Sequence, residues 1–512
     1  MILRPTRDDL KLIAWGIGRV ILGVGLIMLV PLGVAIFSTE WITVLDFLVG
    51  ITACVTFWLV MENTCRVRGR DLTWSHGLVV ASAGWLMAML FGAIPHFLSG
   101  HFKAYLDACF DLMSGYTTTG LIMIQDLDHV SHGLNMWRHL LTYAGGQGII
   151  VIALTFLFAG TAGAFKIYVS EGKEEQLLPN VVRTARAIWM ISLTYLVVGS
   201  TLIYISLLWE GMPAGRGLLH SVWLFMGAWS TGGFAPQNLN LLYYHSLFVE
   251  LATMLIFIIG SFNFALHYAV WTRRRTEIWK NIEIRSFTIT SMIATFMLAI
   301  GFSKMEVYTT LTEFFRKGYY NLISGHTTTG NSTIFSTSFY KEFGFIAMWA
   351  ITLAMAIGAS ACSTGGGFKG LRMGIVTKSL WGDIKTLVSP ESAVVREKVH
   401  HVRDIWLDDA LVKGTMLVML SYVFIYAVGG LLGVIYGYQP SVAFFDAASA
   451  GSNTGLSAGL TTPLMPALLK VWYIIEMWAG RLEFMSVFAL FGMSAAMIIG
   501  RGKKTRLLKG RR

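Results

Sequence analysis

Two nearly identical stretches decide the fold: Ser114-Gly115-Tyr116-Thr117-Thr118-Thr119-Gly120 and Ser324-Gly325-His326-Thr327-Thr328-Thr329-Gly330, which agree at six of seven positions. Two looser copies, Gly227–Gly233 and Ser449–Gly455, keep the same six-residue step to a final glycine. Self-similarity at matched spacing is the signature of internal repeats. A second glycine follows each copy inside the next apolar run, at Gly146, Gly260, Gly358 and Gly480. One structural unit is therefore predicted to occur four times.

The composition places the chain in a membrane. Of its 512 residues, 55% are hydrophobic and 13% are charged, and the mean hydropathy is +0.61. An average soluble domain has about 25% charged residues. At about 20 apolar residues per crossing, the chain has room for about ten spanning helices. A water-soluble globule and a single-span receptor with a soluble catalytic domain are both excluded.

Each unit is predicted to contain a spanning helix, an apolar segment too short to cross, the motif and a second spanning helix. The second spanning helices are predicted over 136–160, 246–270, 343–372 and 467–499. The predicted fold class is an all-α integral membrane protein in which four membrane-pore-membrane repeats surround a central pore, preceded by two extra transmembrane helices. The predicted boundaries are 1–70 for the two-helix extension, 71–165 for repeat 1, 188–270 for repeat 2, 286–378 for repeat 3, 379–410 for a cytoplasmic loop, 411–500 for repeat 4 and 501–512 for a basic tail.

The basic residues indicate the orientation. The formal net charge of +11 comes from 40 Lys+Arg against 29 Asp+Glu, and the basic residues cluster between apolar runs, notably in 66–70, 273–285 and 501–512. Cytoplasmic loops of membrane proteins carry such an excess, so both termini are predicted to lie in the cytoplasm. The positive charge forms no stripe on a soluble face, and no nucleic-acid partner is predicted. The helices are predicted to be surrounded by membrane lipid.

The chemistry of the repeated motif suits a monovalent cation. Irregular backbone at membrane depth is tolerated only where it is buried in protein or lines a water-filled cavity. Glycine lets carbonyl groups turn toward such a cavity, and neighbouring hydroxyl groups add neutral oxygens. The four motifs contain no carboxylate, which disfavours a divalent ion. Helix packing through small residues is the competing interpretation of a single copy, but it gives no reason for four copies in phase.

These motifs and their order resemble the Trk/Ktr/HKT superfamily of potassium transporters, and most of all its TrkH/TrkG branch, over residues 70–500. The resemblance implies a potassium filter in which each quarter is reduced to one glycine. The second repeat departs most, because Gly232 beside Gly233 leaves two registers, of which we favour Gly233. The implied cargo is the potassium ion, and the candidate filter residues are Thr118, Thr119, Gly120, Thr231, Gly232, Gly233, Thr328, Thr329, Gly330, Asn453, Thr454 and Gly455.

A run of small residues interrupts the second helix of repeat 3. Every residue from Gly358 to Gly367 is small. Glycine costs about 1 kcal/mol relative to alanine inside a helix, so this run is predicted to unwind. The resemblance implies a gating loop at this place, and close helix packing is the alternative. The candidate gate residues are Gly358, Gly365, Gly366, Gly367, Lys369 and Arg481.

Arg481 is expected to be costly, because it lies deep in the last apolar run and must face protein or water. It either pairs with Glu476 or Glu483, or places a positive charge at the pore waist as the resemblance implies. Other polar residues give weaker signals. We expect Asp107, Asp111 and Asp446 to bond nearby backbone rather than concentrate cations, and His400 and His401 to lie in a solvated loop.

The predicted function is potassium uptake across the cell membrane through a channel-like pore with an intramembrane gate. A symporter that couples potassium to protons or sodium is the alternative, and it would need a carboxylate on the path. The chain has no nucleotide fingerprint or catalytic triad and is predicted not to be an enzyme. The resemblance further implies a homodimer in the bacterial inner membrane and a cytosolic nucleotide-binding regulatory subunit similar to TrkA.

Overall fold

Helices account for nearly all of the regular structure. The computed structural model describes residues 5–67, 69–70, 72–148 and 181–499, with the backbone only for residues 181–183 and 185. The predicted basic tail 501–512, and the part of predicted repeat 1 that begins at residue 149, lie outside the described residues. The amino-terminal extension comprises the consecutive helices Arg7–Ile27 and Leu29–Phe37, which together form one apolar span, and the helix Trp41–Cys65, which packs beside it.

Each repeat contributes three kinds of helix, which we call outer, pore and inner. The outer helices are Trp74–Leu98, Val181–Trp209, Ile282–Met305 and Asp409–Ile435. The pore helices are Tyr105–Tyr116, Ala214–Trp229, Tyr320–His326 and Pro440–Gly451, the third being preceded by the short helix Leu311–Glu313 and the π-helical turn Phe314–Tyr319. The inner helices are His132–Gln147, Leu247–Gly260, Gly344–Ile357 and Ala467–Arg481. Shorter helices lie at Asn240–Tyr244, Glu277–Lys280 and Ser338–Lys341.

Side-chain caps fix where three outer helices begin. The Thr73 hydroxyl accepts a hydrogen bond from the His76 amide, the Asn281 side chain accepts one from the Glu283 amide, and Asp408 accepts one from the Leu411 amide. The first amide groups of a helix have no partner within the helix, so these side chains supply one. Each capping residue thereby fixes where an apolar helix begins.

The inner helices of repeats 2, 3 and 4 are broken. The prediction of one helix over each span is wrong for repeats 2 and 4, whereas the predicted unwinding between Gly358 and Gly367 in repeat 3 is confirmed. Leu247–Gly260 is followed by Phe264–Trp271 at a bend of 97°, and Ala467–Arg481 is followed by Met485–Ile499 at a bend of 113°. In repeat 3 the inner helix ends at Ile357, and the next helix, Gly370–Val388, begins after a loop. By length and composition, the part of the chain that the structure describes has six helices able to cross a membrane, or up to eight if each bent pair is one span. This is an all-helical membrane protein with several apolar spans.

One short hairpin is the exception to the all-α prediction. Strands β1 (Lys398–His401) and β2 (Arg403–Trp406) pair antiparallel, with Lys398 opposite Trp406 and His401 opposite Arg403. The turn between them requires a positive φ of 59° at Val402. The hairpin lies within the predicted cytoplasmic loop 379–410, whose first residues extend the helix Gly370–Val388.

The four repeats close into a ring through one recurring contact. The inner helix of repeat 1 packs on the pore helix of repeat 2, and the same relation holds from repeat 2 to 3, from 3 to 4 and from 4 back to 1. Each pore helix is thus held both by the helices of its own repeat and by the inner helix of the neighbouring one, so its position depends in part on the assembly of the whole ring. A single repeat could not fix its own pore helix in this way.

Ion pairs reinforce two opposite interfaces of the ring with reversed charges. Glu250, in the first turn of the inner helix of repeat 2, accepts two hydrogen bonds of 2.6 and 2.9 Å from Arg316, just before the pore helix of repeat 3. Lys470 occupies the same helical position in repeat 4 and pairs at 2.5 Å with Asp107 on the pore helix of repeat 1. The expectation that Asp107 bonds backbone is therefore wrong. The reversed charges disfavour a wrong pairing, because Glu250 would repel Asp107 and Lys470 would repel Arg316.

Removing one partner of the Lys470–Asp107 pair should destabilise the protein. The Lys470 side chain is 8% exposed and that of Asp107 is 4% exposed, and leaving one buried charge without its partner costs about 3–5 kcal/mol. We expect Lys470→Met to lower the thermal unfolding midpoint of the purified protein, and the added change Asp107→Leu to restore much of it. The exposed Lys413→Met is the matched control. A midpoint equal to that of the wild type would show that the pair contributes no stability.

Candidate functional site

The candidate filter segments begin where the pore helices end. Each pore helix stops four residues before the final glycine of its motif. The backbone then takes a positive φ at the same position of every repeat, with values of 55°, 49°, 53° and 57° at Thr118, Thr231, Thr328 and Asn453. The final glycines follow with φ of 92°, 63°, 84° and 92° at Gly120, Gly233, Gly330 and Gly455. Side chains rarely adopt such angles, which explains why the motif ends on glycine.

The four final glycines meet in a closed ring. A Cβ added to Gly120 would lie 2.6 Å from the carbonyl oxygen of Gly232, and one added to Gly233 would lie 2.2 Å from that of Thr329. A Cβ added to Gly330 would lie 2.1 Å from the carbonyl oxygen of Thr454, and one added to Gly455 would lie 2.0 Å from that of Thr119. Each final glycine thus touches the backbone of the next repeat. In repeat 2 the residue in this ring is Gly233, whereas Gly232 packs against Thr142 of repeat 1.

Hydroxyl groups stabilise three of the four segments from within. Thr117 bonds Thr119 at 2.8 Å, Thr327 bonds Thr329 at 2.8 Å, and Ser452 bonds Thr454 at 2.7 Å. Repeat 2 has Gly232 where the others have threonine, and there Ser230 bonds Thr142 at 3.1 Å. These hydroxyl groups are fully buried. They hold the loops in shape, which leaves the backbone carbonyl groups as the oxygens that can face the axis.

A neutral cavity adjoins the ring. It has a volume of about 370 Å³ and is lined by Gly120, Gly330 and Gly455 together with residues such as Asn238, Ser332 and Thr461. All of its lining residues are uncharged. Among the described residues there is also no cluster of His, Cys, Asp and Glu that could hold a metal ion. The arrangement therefore offers neutral oxygens, which suit an alkali cation better than a divalent one.

The run of small residues forms a loop that contacts the filter segments of all four repeats. The loop accepts a hydrogen bond at the Thr364 carbonyl from Thr118 (3.3 Å), and the Thr364 hydroxyl bonds that of Thr231 (3.1 Å). The Gly366 amide donates to the Thr328 hydroxyl at 2.7 Å. A Cβ on Gly366 would lie 2.0 Å from the Ser452 carbonyl oxygen, beside Asn453. The loop therefore covers the ring of segments on one side.

Backbone angles that favour glycine and a buried lysine shape this loop. Gly358 ends the inner helix of repeat 3 with φ of 72°, and a Cβ there would lie 2.3 Å from the Gly366 carbonyl oxygen. Gly367 also has a positive φ, of 78°. Lys369 is 4% exposed, and its ammonium group donates a hydrogen bond to the Gly365 carbonyl. All five candidate gate residues from Gly358 to Lys369 thus lie in or beside the loop.

Arg481 joins the loop to the first filter segment. One end of its guanidinium group donates to the Thr364 carbonyl at 2.5 Å and to the Thr118 hydroxyl at 3.3 Å. The other end donates to the Gly145 carbonyl at 2.6 Å and to the Gly146 carbonyl at 3.3 Å. These contacts bring a positive charge to the centre of the ring of repeats.

The two glutamates considered as partners of Arg481 have other contacts. Glu483 forms an ion pair with Arg372, and Glu476 accepts a hydrogen bond of 2.8 Å from the Trp472 indole. Glu476 also packs against Gly429 of an outer helix, so it faces away from the filter segments.

A second set of contacts connects the loop to the β-hairpin. Glu283, in the first turn of an outer helix, accepts a hydrogen bond of 2.5 Å from the Ala361 amide and lies 3.5 Å from His401 of β1. The Ser360 amide donates to the Ser261 carbonyl at 3.1 Å, at the break in the inner helix of repeat 2. His401 is 1% exposed, so the prediction that it lies in a solvated loop is wrong. Its neighbour His400 bonds Asp404 and Glu277, and these carboxylates raise the pKa of that imidazole.

Sequence reasoning did not identify Glu283, His401 or the special role of Thr364. The only available signal was the position of Glu283, an acidic residue two places after the cap of an apolar helix. Such a residue also satisfies the ordinary preference for acidic side chains in a first turn. Its contact with Ala361 joins residues 78 positions apart. Sequence spacing carries no information about such a contact.

This geometry defines a class of protein: a helical membrane transporter for cations, not an enzyme. The chain belongs to the TrkH family of cation transport proteins, whose family model matches residues 45–500. It is 28% identical, over 96% of its length and 97% of the relative's, to an uncharacterised cation transporter of Methanocaldococcus jannaschii. The Trk system potassium uptake protein TrkH of Halomonas elongata is 27% identical, and the match covers 86% of this chain and 90% of the relative. The Trk system potassium uptake protein TrkG of Escherichia coli K12 is also 27% identical, and the match covers 91% of this chain and 94% of the relative.

The fold is also that of a solved structure. The crystal structure of the potassium transporter TrkH from Vibrio parahaemolyticus superposes with a TM-score of 0.78 at 23% sequence identity, covering 95% of this chain and 98% of the other. At that identity the match concerns the fold alone. The family match identifies cation transport of the TrkH type as the function of this chain.

The contact between Glu283 and Ala361 should restrain the loop. A buried hydrogen bond contributes about 1 kcal/mol, or roughly a fivefold change in the population of an opened state. We expect Glu283→Ala to increase amide hydrogen exchange in residues 358–367 by that factor. Thr288→Ala, at an exposed position of the same outer helix, is the matched control and should change nothing. Equal exchange in wild type and Glu283→Ala would rule out the restraint.

Proposed function

We propose that this protein carries potassium into the cell through the ring of four filter segments. The observation that carries the proposal is the closed ring itself, in which four backbone segments at membrane depth meet around one axis. The relatives named Trk system potassium uptake proteins support the choice of potassium. The proposed potassium ligands come from Thr118–Gly120, Thr231–Gly233, Thr328–Gly330 and Asn453–Gly455, with Gly233 as the ring glycine of repeat 2.

The chemistry of the ring favours potassium over other cations. Carbonyl oxygens can replace the hydration shell of a monovalent ion without the strong charge that a divalent ion requires. Each pore helix also directs its carboxyl-terminal end, which carries a partial negative charge, toward the ring. Both effects stabilise a cation at the axis, and neither requires a fixed carboxylate.

The loop from Gly358 to Gly367 is the proposed gate. It contacts all four filter segments, and Arg481 bonds it to Thr118 and to the carbonyl groups of Gly145 and Gly146. Potassium could not pass while the loop holds this position. Opening would require the loop to exchange these hydrogen bonds for others.

Control from the cytoplasm would reach the gate through the β-hairpin. The path runs from His401 to Glu283 and from Glu283 to the Ala361 amide. This supports the proposal of a cytosolic nucleotide-binding regulator similar to TrkA. We further propose a homodimer in the bacterial inner membrane, surrounded by lipid, with both termini in the cytoplasm as the basic segments indicate.

Coupled symport with protons or sodium is the alternative mechanism. It would need a carboxylate on the ion path, and Glu476 and Glu483 were the candidates. Glu483 is paired with Arg372, and Glu476 lies against Trp472 and Gly429. Neither contact favours a role in coupling, so the proposal remains a pore driven by the membrane potential.

Flux through the purified protein in liposomes tests the proposed function. We expect potassium uptake that follows the membrane potential, exceeds sodium uptake and is unchanged by an imposed pH gradient. The chain with its regulator should also restore growth of a potassium-uptake-deficient strain at low external potassium. A flux that depends on the pH gradient would favour symport, whereas protein-containing liposomes without potassium flux would refute the proposal.

Adding a side chain to a ring glycine should impair selectivity. A Cβ on Gly330 would lie 2.1 Å from the Thr454 carbonyl oxygen, so either the backbone or that oxygen must move. We expect Gly330→Ser to lower the ratio of potassium to sodium flux. Gly414→Ser is the control, because a Cβ at Gly414 meets nothing within 4 Å. An unchanged ratio in Gly330→Ser would mean that the ring does not select the ion.

Removing the charge of Arg481 should raise the potassium flux. Two unit charges about 4 Å apart repel by about 4 kcal/mol at an effective dielectric constant of about 20, which is enough to slow passage strongly. We expect Arg481→Gln to increase flux, although the thermal midpoint should fall because the Thr364 and Gly145 carbonyl groups lose their donor. Lys413→Gln, on an exposed part of an outer helix, is the control. A less stable protein with reduced flux would assign Arg481 a structural role instead.

A further inference from the structure

A second feature recurs in the repeats, behind the filter segments. In repeat 1, a carboxylate oxygen of Asp111 accepts a hydrogen bond of 3.1 Å from the amide of Met123, twelve residues later. In repeat 4, Asp446 accepts one of 2.6 Å from the amide of Ala458, also twelve residues later. Each acceptor lies on a pore helix, nine residues before the ring glycine, and each donor lies three residues after that glycine. The bond therefore joins the chain that leaves the filter to the helix that enters it.

Repeat 3 makes the same bond with a neutral side chain. The amide oxygen of Asn321 accepts from the Thr333 amide at 3.4 Å, and the Asn321 side-chain nitrogen donates to the Thr333 hydroxyl at 2.9 Å. Asp111, Asn321 and Asp446 are all completely buried. A negative charge is thus not the property that the position requires. The shared property is a buried oxygen that accepts the amide hydrogen.

Repeat 2 lacks both partners of the bond. At the acceptor position stands Leu224, which is 1% exposed, and at the donor position stands Pro236, which has no amide hydrogen. The loss of the acceptor and the loss of the donor coincide, so no buried amide is left without a partner. In this repeat the side chain of Asn240 instead donates to the Gly233 carbonyl at 3.0 Å. The paired exception indicates that acceptor and donor function as one unit.

We propose that Asp111, Asn321 and Asp446 are positioning residues for ion selection, which fix the height of the ring glycines by anchoring the chain beyond them. The inference rests on the proposed function, because it concerns the filter through which potassium would pass. An anchor at the third residue after the glycine limits how far the ring carbonyl groups can shift along the axis. Without it, the ring could relax around a smaller ion, and discrimination against sodium would fall.

Asp446 is the best position for the test, because its bond to Ala458 is the shortest of the three. The carboxylate also accepts from the Ser457 hydroxyl and from the amide and hydroxyl of Thr461. Asp446→Asn keeps an acceptor, as Asn321 does in repeat 3. Asp446→Leu removes it, as Leu224 does in repeat 2. Ala458→Pro removes only the donor and introduces the residue that repeat 2 has naturally at this position.

The experiment measures two quantities on the full chain: the ratio of potassium to sodium flux in liposomes, and amide hydrogen exchange across residues 456–462. We expect Ala458→Pro to lower the flux ratio by about fivefold, the equivalent of one hydrogen bond of about 1 kcal/mol. Asp446→Leu removes four hydrogen bonds and should lower the ratio at least as much, and both variants should speed exchange in this segment.

Asp446→Asn should leave the flux ratio near that of the wild type, because its amide oxygen can still accept from Ala458. Exchange at Thr461 should become faster in this variant, because an amide nitrogen cannot accept from the Thr461 amide. Leu224→Met, which conserves volume at the matching position of repeat 2, is the control and should leave both quantities unchanged.

The two measurements separate the possible failures. A stable Asp446→Leu protein with an unchanged flux ratio would overturn the proposal, even if exchange became faster, because the bond would then be structural only. If Asp446→Leu does not accumulate, Ala458→Pro decides in the same way. If the wild type moves no potassium, the proposed function fails, and the exchange measurement still decides whether the anchor exists. Unchanged exchange in both variants would overturn the anchor itself.

Discussion

The structure depends on one constraint: peptide groups at membrane depth must find partners, because each one left without a hydrogen bond costs several kcal/mol in hydrocarbon. The four filter segments and the loop from Gly358 to Gly367 are irregular backbone in the middle of a helical membrane protein. Their amide and carbonyl groups are satisfied by threonine hydroxyls, by the side chains of Arg481 and Glu283, and by one another. The carbonyl groups that have no such partner and face the axis are those that could coordinate an ion.

The ring is a shared product of the four repeats. Each inner helix supports the pore helix of the next repeat, and each ring glycine contacts the backbone of the next. Fusion of four units in one chain allows each to differ from the others, and the differences are specific. Repeat 2 lacks the hydroxyl pair and the anchoring bond, and repeat 3 has a long loop in place of a continuous inner helix. Repeat 4 contributes Arg481, which bonds the loop of repeat 3 and the inner helix of repeat 1. A pore built from identical subunits could not place one loop and one arginine on its axis.

The loop and Arg481 form one hydrogen-bonded network with the filter segments. Arg481 bonds backbone carbonyl groups on two repeats, and Glu283 holds the opposite side of the loop beside His401 of the hairpin. Movement of the hairpin would therefore act on the same backbone that fills the axis. The hairpin is thereby connected to the loop that covers the ring. The two side chains that make this connection are those of His401 and Glu283.

The sequence by itself determined the membrane class, the four repeats, the glycine that ends each motif and the break at Gly358, because each depends on local properties: composition, spacing and the backbone freedom of glycine. It could not determine that Gly233 rather than Gly232 enters the ring, since both are glycines and only the contact with Thr329 of the next repeat distinguishes them. Nor could it show that inner helices bend by 97° and 113°, or that Lys470 meets Asp107 across 363 positions. Tertiary structure decided these points, because they arise from contacts between repeats, and such contacts leave no periodic trace along the chain.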